Sequence, residues 1–213
     1  MDELELLKKD WNKDTDKYPK LTYNEIYKMI LKKSSSIVKW IFIISVLEFI
    51  FWTALSLSLK DSESMKRFEQ YNAEAVFIPL MVIGYIVLAY FFYLFFKNYK
   101  TISATDSTKV LMENILKTRK TVKYYVAFNL VYLVASTVVV LFLELDRDQL
   151  VINKAQLAAA DGEILKFYAV FIIATVLVLA AAIGILLLFY WLIYGILLKR
   201  LNQNYKELKK LEV

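Results

Sequence analysis

Neither cysteine nor histidine occurs among the 213 residues. Without thiols the chain forms no disulfide and offers no cysteine nucleophile, although that lack leaves the compartment open. Without imidazoles it builds no serine-histidine triad and no histidine-ligated haem or iron, and the two absences together remove zinc sites of the usual kind. Carboxylate, lysine and tyrosine remain as catalytic groups, and no pair of them is placed where a reaction would need it. The expectation is no catalytic residue, no metal ligand set and no cofactor.

Apolar residues make up 59% of the chain and the mean hydropathy is +0.46. They gather into four runs, 37–59, 75–96, 124–143 and 167–198, each at or above the roughly 20 residues that cross a hydrocarbon core about 30 Å thick. A soluble chain would carry polar faces on helices that here are apolar all round. The predicted fold is all-α: a polytopic membrane protein, four transmembrane helices with cytoplasmic helical extensions. It divides into an amphipathic N-terminal segment, 1–36, a transmembrane bundle, 37–198, with a cytoplasmic loop at 97–123, and a C-terminal helix, 199–213.

Lysine and arginine set the orientation, because cytoplasmic segments carry the excess. Residues 1–36, 97–123 and 199–213 hold 8, 7 and 5 of them, whereas the opposite loops, 60–74 and 144–166, hold 3 each. Both termini and the middle loop are therefore expected in the cytoplasm. The net charge of +6 reads as this topology signal and as attraction to anionic lipid headgroups. No basic-aromatic groove pattern accompanies it, so no nucleic acid is expected. The first run is preceded by thirty-six largely hydrophilic residues and followed by no small-residue cleavage site, and is expected to act as its own insertion signal. The opposite loops are acidic, with Asp61, Glu63, Glu69 and Glu74 on one and Glu144, Asp146, Asp148, Asp161 and Glu163 on the other. Such a face either stays solvated or holds a hard divalent cation.

The basic segments have helical spacing. Thr22 and Glu25 are placed as a capping box, which predicts a helix from Tyr23 that runs on into the first apolar run. Upstream, Leu4, Leu7 and Trp11 share a face. In the middle loop a polar turn at 101–106 precedes Val110, Leu111, Met112, Ile115 and Leu116 on one side of a second extension. Tyr194, Leu198, Leu201, Tyr205 and Leu208 alternate steps of four and three, the spacing of a packed seam. These positions either pack against the chain's own extensions or dock a second chain.

Glu48 lies near the centre of the first apolar run, where a carboxyl is costly. Ser45, Trp52 and Ser56 put a partly polar stripe on its face. Counted from the run's edge, Glu48 lies about 16 Å deep, level with Tyr132 to Ser136 of the third run. Tyr85 is a further candidate partner, and Asn129 is expected nearer the interface. Glu48, Ser45, Tyr85, Tyr132 and Ser136 thus form the expected intramembrane polar site, either a protonatable or cation-binding site or an interhelical hydrogen bond. Transporters usually show a discontinuous helix or a repeat; only Pro79 and Gly84 hint at irregularity. In the fourth run Ala180 and Gly184 have the small-xxx-small spacing of close helix packing. Trp191, Tyr190, Tyr194 and Trp40 read as an inner aromatic belt.

The stretches MDELELLKKDW, PKLTYNEIYKMI and KKSSSIVKWIFIIS leading to Glu48 resemble a group of small uncharacterised four-span inner-membrane proteins of flavobacteria and related Bacteroidota. The resemblance implies a multi-pass protein of a bacterial inner membrane and carries no catalytic motif. Members of that group sometimes bear a label as carotenoid-cleaving oxygenases, which hold iron with four histidines; a chain without histidine does not fit it. Two function classes follow. One is a non-catalytic adaptor or regulatory subunit that docks a protein partner or a second copy through Leu4, Leu7, Trp11, Leu198, Leu201, Tyr205 and Leu208. The other is a small proton- or cation-coupled transporter or channel using Glu48.

Overall fold

The computed structural model describes residues 21–59, 62, 66, 74–105 and 107–211. Leu4, Leu7 and Trp11, three of the seven expected docking residues, lie outside the described residues.

Thr22 starts the first helix as its spacing predicts. Its hydroxyl accepts from the Glu25 amide at 3.4 Å, while its own amide donates to Glu25 Oε2 at 2.8 Å, so two otherwise unpaired donors are satisfied. From there α1 runs unbroken over Tyr23–Ser58. Next come α2, Glu74–Ser103, with Pro79 inside its second turn, and α3, Thr108–Arg147. The loop expected after the third run instead holds a further helix. Asp148 Oδ1 accepts from the amides of Leu150 at 2.7 Å and Val151 at 3.3 Å, capping α4, Gln149–Ala160. Gly162, at φ 75°, then turns the chain back in a conformation that only glycine adopts freely. The last rod comprises α5, Ile164–Tyr190, a π-helical stretch, Trp191–Gly195, and α6, Ile196–Leu211. Four helices are long and apolar enough to cross a membrane, and the whole is consistent with a polytopic helical bundle.

The four rods run up and down, so the start of α1, the end of α2, the start of α3 and the end of α6 share one end, rich in lysine. Buried positions there repeat at steps of three and four on every rod: Ile30, Ser34, Val38 and Ile41 on α1, Asn98 and Ile102 on α2, Leu111, Ile115 and Thr118 on α3, Leu201, Asn204 and Leu208 on α6. This is coiled-coil spacing, and it closes a stalk around one apolar cluster. Polar rungs cross it: Asn98 Nδ2 donates to Thr121 Oγ1 at 3.2 Å, and Asn204 Nδ2 to Ser34 Oγ at 2.9 Å. At its base the Tyr27 hydroxyl donates to the Thr105 carbonyl at 2.8 Å.

Leu201 and Leu208 are fully buried in the stalk with Tyr205 packed beside them, and Leu198 packs against the aromatic cluster above it. Of the two uses left open by its spacing, the C-terminal seam thus shows packing within the chain. One expectation is corrected here. On α3 the buried side is Leu111, Ile115 and Thr118, with Val110 and Leu116 exposed, because the heptad register follows the stalk axis rather than the densest patch of apolar residues.

Towards the acidic end α2 and α3 stay in contact, with Leu143 packed on Phe77 and Val139, but packing around α5 thins. Tyr190 is the only buried residue of α5, whose neighbours there are α3 and α4. Ala180 and Gly184 are exposed, and a Cβ built on Gly184 would meet nothing within 4 Å. The close packing that their spacing suggested is not made with any described helix of this chain.

Candidate functional site

The second apolar cluster lies directly above the stalk core and is largely aromatic: Phe91 and Phe95 of α2, Tyr125 of α3, Tyr190 of α5 and Tyr194 of the π stretch, with Ile41 and Val122. Tyr125 is its centre. Its ring meets Phe95 edge-on at 5.4 Å, Phe91 at 5.6 Å and Tyr194 at 6.0 Å, spacings at which the positive ring edge faces a neighbour's negative face.

Glu48, 7% exposed, enters this cluster from α1. Tyr190 donates to Oε1 at 2.7 Å; Tyr125 and Tyr194 donate to Oε2 at 2.9 and 3.2 Å. Three phenolic protons thus converge on one carboxyl group, which accepts at both oxygens. Because the acceptor is on α1 and the donors are on α3 and the last rod, the group ties three rods together at one level. Tyr190 immediately precedes the π stretch and Tyr194 lies within it, a short widening of the helix that often marks functional positions. No Lys or Arg ion-pairs with Glu48 among the described residues.

The other residues expected around Glu48 lie elsewhere. Ser45 is buried but donates to the Phe42 carbonyl at 2.8 Å, and Ser136 donates to the Leu133 carbonyl at 3.0 Å. Each hydroxyl is satisfied within its own helix. Tyr132 donates to the Leu80 carbonyl at 3.1 Å, packed so closely over Gly84 that a Cβ there would lie 2.8 Å from its oxygen. Tyr85 is 47% exposed and turns its ring to Phe49. Trp52 and Ser56 also face outward, so the polar stripe on α1 ends at Glu48. Asn129, one turn beyond Tyr125, has a buried Nδ2 with no acceptor.

The level at which α1 meets the other rods also differs from that expected. Tyr125 lies two residues from Lys123, Phe95 two from Lys97 and Tyr194 five from Lys199, or about 3 to 8 Å along the helices. Glu48 therefore meets α3 about two turns nearer its basic end than Tyr132 to Ser136. Ile37 and Val38 explain the difference: they open the first apolar run but pack in the stalk core, so levels counted from the edges of the runs do not match between rods.

The heptad seams carried the missing signal. Extended inward, Leu208, Leu201 and Tyr194 advance by sevens, Leu111, Ile115, Thr118, Val122 and Tyr125 by fours and threes, and both series end on the carboxylate. Of the expected aromatic belt, Trp40 and Trp191 are exposed as anchors should be, whereas Tyr190 and Tyr194 are not.

Among the described residues no group of three or more acidic side chains could hold a metal ion. Neither a curated protein nor a solved structure matches the chain. Residues 24–213 match the family described as Domain of unknown function (DUF8845), and the chain belongs to that family.

Proposed function

We propose that the protein is a non-catalytic, multi-pass scaffold or regulatory subunit of a bacterial inner membrane, with its basic stalk and both termini in the cytoplasm. Four apolar helices and the uneven placement of lysine and arginine support the membrane and its orientation. The observation that carries the scaffold reading is the way buried polar groups are used. Glu48, Asn98 and Asn204 each bind another rod, which makes the bundle a rigid support continuous from bilayer to stalk. Docking then falls to the stalk's exposed faces and to the segment carrying Leu4, Leu7 and Trp11. A photo-crosslinker placed at Trp11 or on exposed stalk positions in native membranes should yield one defined product with the same protein each time. Only scattered, irreproducible adducts would count against the reading. Deleting 199–213 is no clean test, because it removes Leu201 and Leu208 from the core.

A second reading, proton or cation coupling through Glu48, draws on the buried carboxyl with its three phenols and on the unpaired Asn129 amide one turn away. It predicts ion or solute flux in proteoliposomes that is lost in Glu48→Gln. Equal flux in the variant, or none in the parent, removes it.

A further inference from the structure

At the basic end an open groove of about 690 Å³ runs along the contact between α1 and α6. Three cations line it, Lys32, Lys33 and Arg200, against the single carboxylate of Glu207. None of the three cations forms an ion pair among the described residues. The side towards the apolar zone is lined by Ile37, Trp40 and Leu197. Trp40 is 53% exposed, as a tryptophan that meets an interface would be. The groove thus has unpaired positive charge on its outer wall and an apolar, partly aromatic wall one to two turns closer to the spans. That order matches a phospholipid entering from the bilayer, with phosphate outward and glycerol and first acyl carbons inward.

We propose that this groove binds the headgroup of an anionic phospholipid, its phosphate held by Lys32, Lys33 and Arg200 and its upper chains lying on Trp40. Diffuse attraction of a basic surface to an anionic leaflet falls off smoothly with distance. A built groove instead needs these particular cations and places the lipid beside one particular ring. The inference rests on the proposed bilayer crossing with the basic end at the headgroups, which resistance of the protein to carbonate extraction tests separately.

The full chain is reconstituted in phosphatidylcholine vesicles containing equal mole fractions of either phosphatidylglycerol or further phosphatidylcholine, brominated near the top of the acyl chains. Tryptophan quenching is then read. Brominated phosphatidylglycerol should quench more strongly than its zwitterionic counterpart. The excess should vanish in Trp40→Phe and in the triple variant Lys32→Gln, Lys33→Gln, Arg200→Gln. It should persist in Lys100→Gln, Lys109→Gln, Lys117→Gln, which removes equal charge from exposed positions at the same end, and it should survive added inorganic phosphate. Equal quenching by the two lipids overturns the proposal in a carbonate-resistant protein. So does an excess that survives loss of the groove cations or falls equally in the control variant. Complete displacement by inorganic phosphate overturns the lipid as ligand.

Discussion

Tyr190 is the sole donor to Glu48 Oε1, at 2.7 Å, whereas Tyr125 and Tyr194 share Oε2. Tyr190→Phe should therefore cost about 1 kcal/mol, and Tyr194→Phe, at the longer distance, less. Glu48→Ala leaves three phenols without their acceptor and should cost about 2 to 4 kcal/mol. Glu48→Gln, which keeps one carbonyl acceptor, should fall between. Thermal midpoints of the purified protein in lipid-detergent micelles rank these variants, and a double-mutant cycle on Glu48→Gln and Tyr190→Phe should show coupling; strict additivity would contradict a shared node. At Gly84 an added methyl drives the Tyr132 ring off the Leu80 carbonyl, so Gly84→Ala should destabilise by about 1 kcal/mol, read in the same melting assay. Glu48 stood out in the sequence because a carboxyl interrupts an apolar run. Its partners did not, since depth was counted from run edges, and an apolar residue facing protein looks the same in sequence as one facing lipid.

Among the elements, the start of α1 is the one whose detail the sequence carried down to the hydrogen bond. Capping is local: Thr22 and Glu25 need only each other and the first turn. The Thr22 backbone amide, and then its hydroxyl, hold the Glu25 carboxyl below the usual glutamate range. A lowered value means that the cap contributes fully above the ordinary glutamate range and is lost as the pH falls through the lowered value. Hydrogen-exchange protection, corrected for the intrinsic rate at each pH, should accordingly fall in acid at the first turn of α1 while that at Leu111 and Ile115 stays high; a parallel fall would contradict a local effect. The stalk itself was half legible. Heptad spacing showed that Leu201 and Leu208 belong to a seam but not whose partner they are, because a pattern on one helix does not name the helix that covers it. Full burial decides it: Leu208→Ala should cost about 2 to 4 kcal/mol, and Leu198→Ala, half-buried, clearly less, by the same melting assay. The capped helix α4 escaped notice because its hydrophilic flanks read as a loop, although Asp148 and Gly162 mark its two ends.

For the whole molecule, a closed stalk below and a more loosely packed bundle above meet at the carboxyl-phenol node, which makes Glu48 the point beyond which the apolar sides of the rods are largely exposed. Length and composition sufficed for the four rods and for the all-α class, as periodicity and hydropathy are properties of each helix alone. The separation of α5 could not be read, since an all-round apolar helix carries no mark of which face lacks a neighbour. The natural absence of cysteine allows topology to be tested one position at a time, with a membrane-impermeant maleimide on the single variants Ser107→Cys, Lys206→Cys and Lys154→Cys, all exposed positions. In intact cells Lys154→Cys should label, and Ser107→Cys and Lys206→Cys should label only once the membrane is opened; finding 107 and 206 on opposite sides, or 154 on their side, would contradict two hairpins crossing the bilayer with their basic ends together.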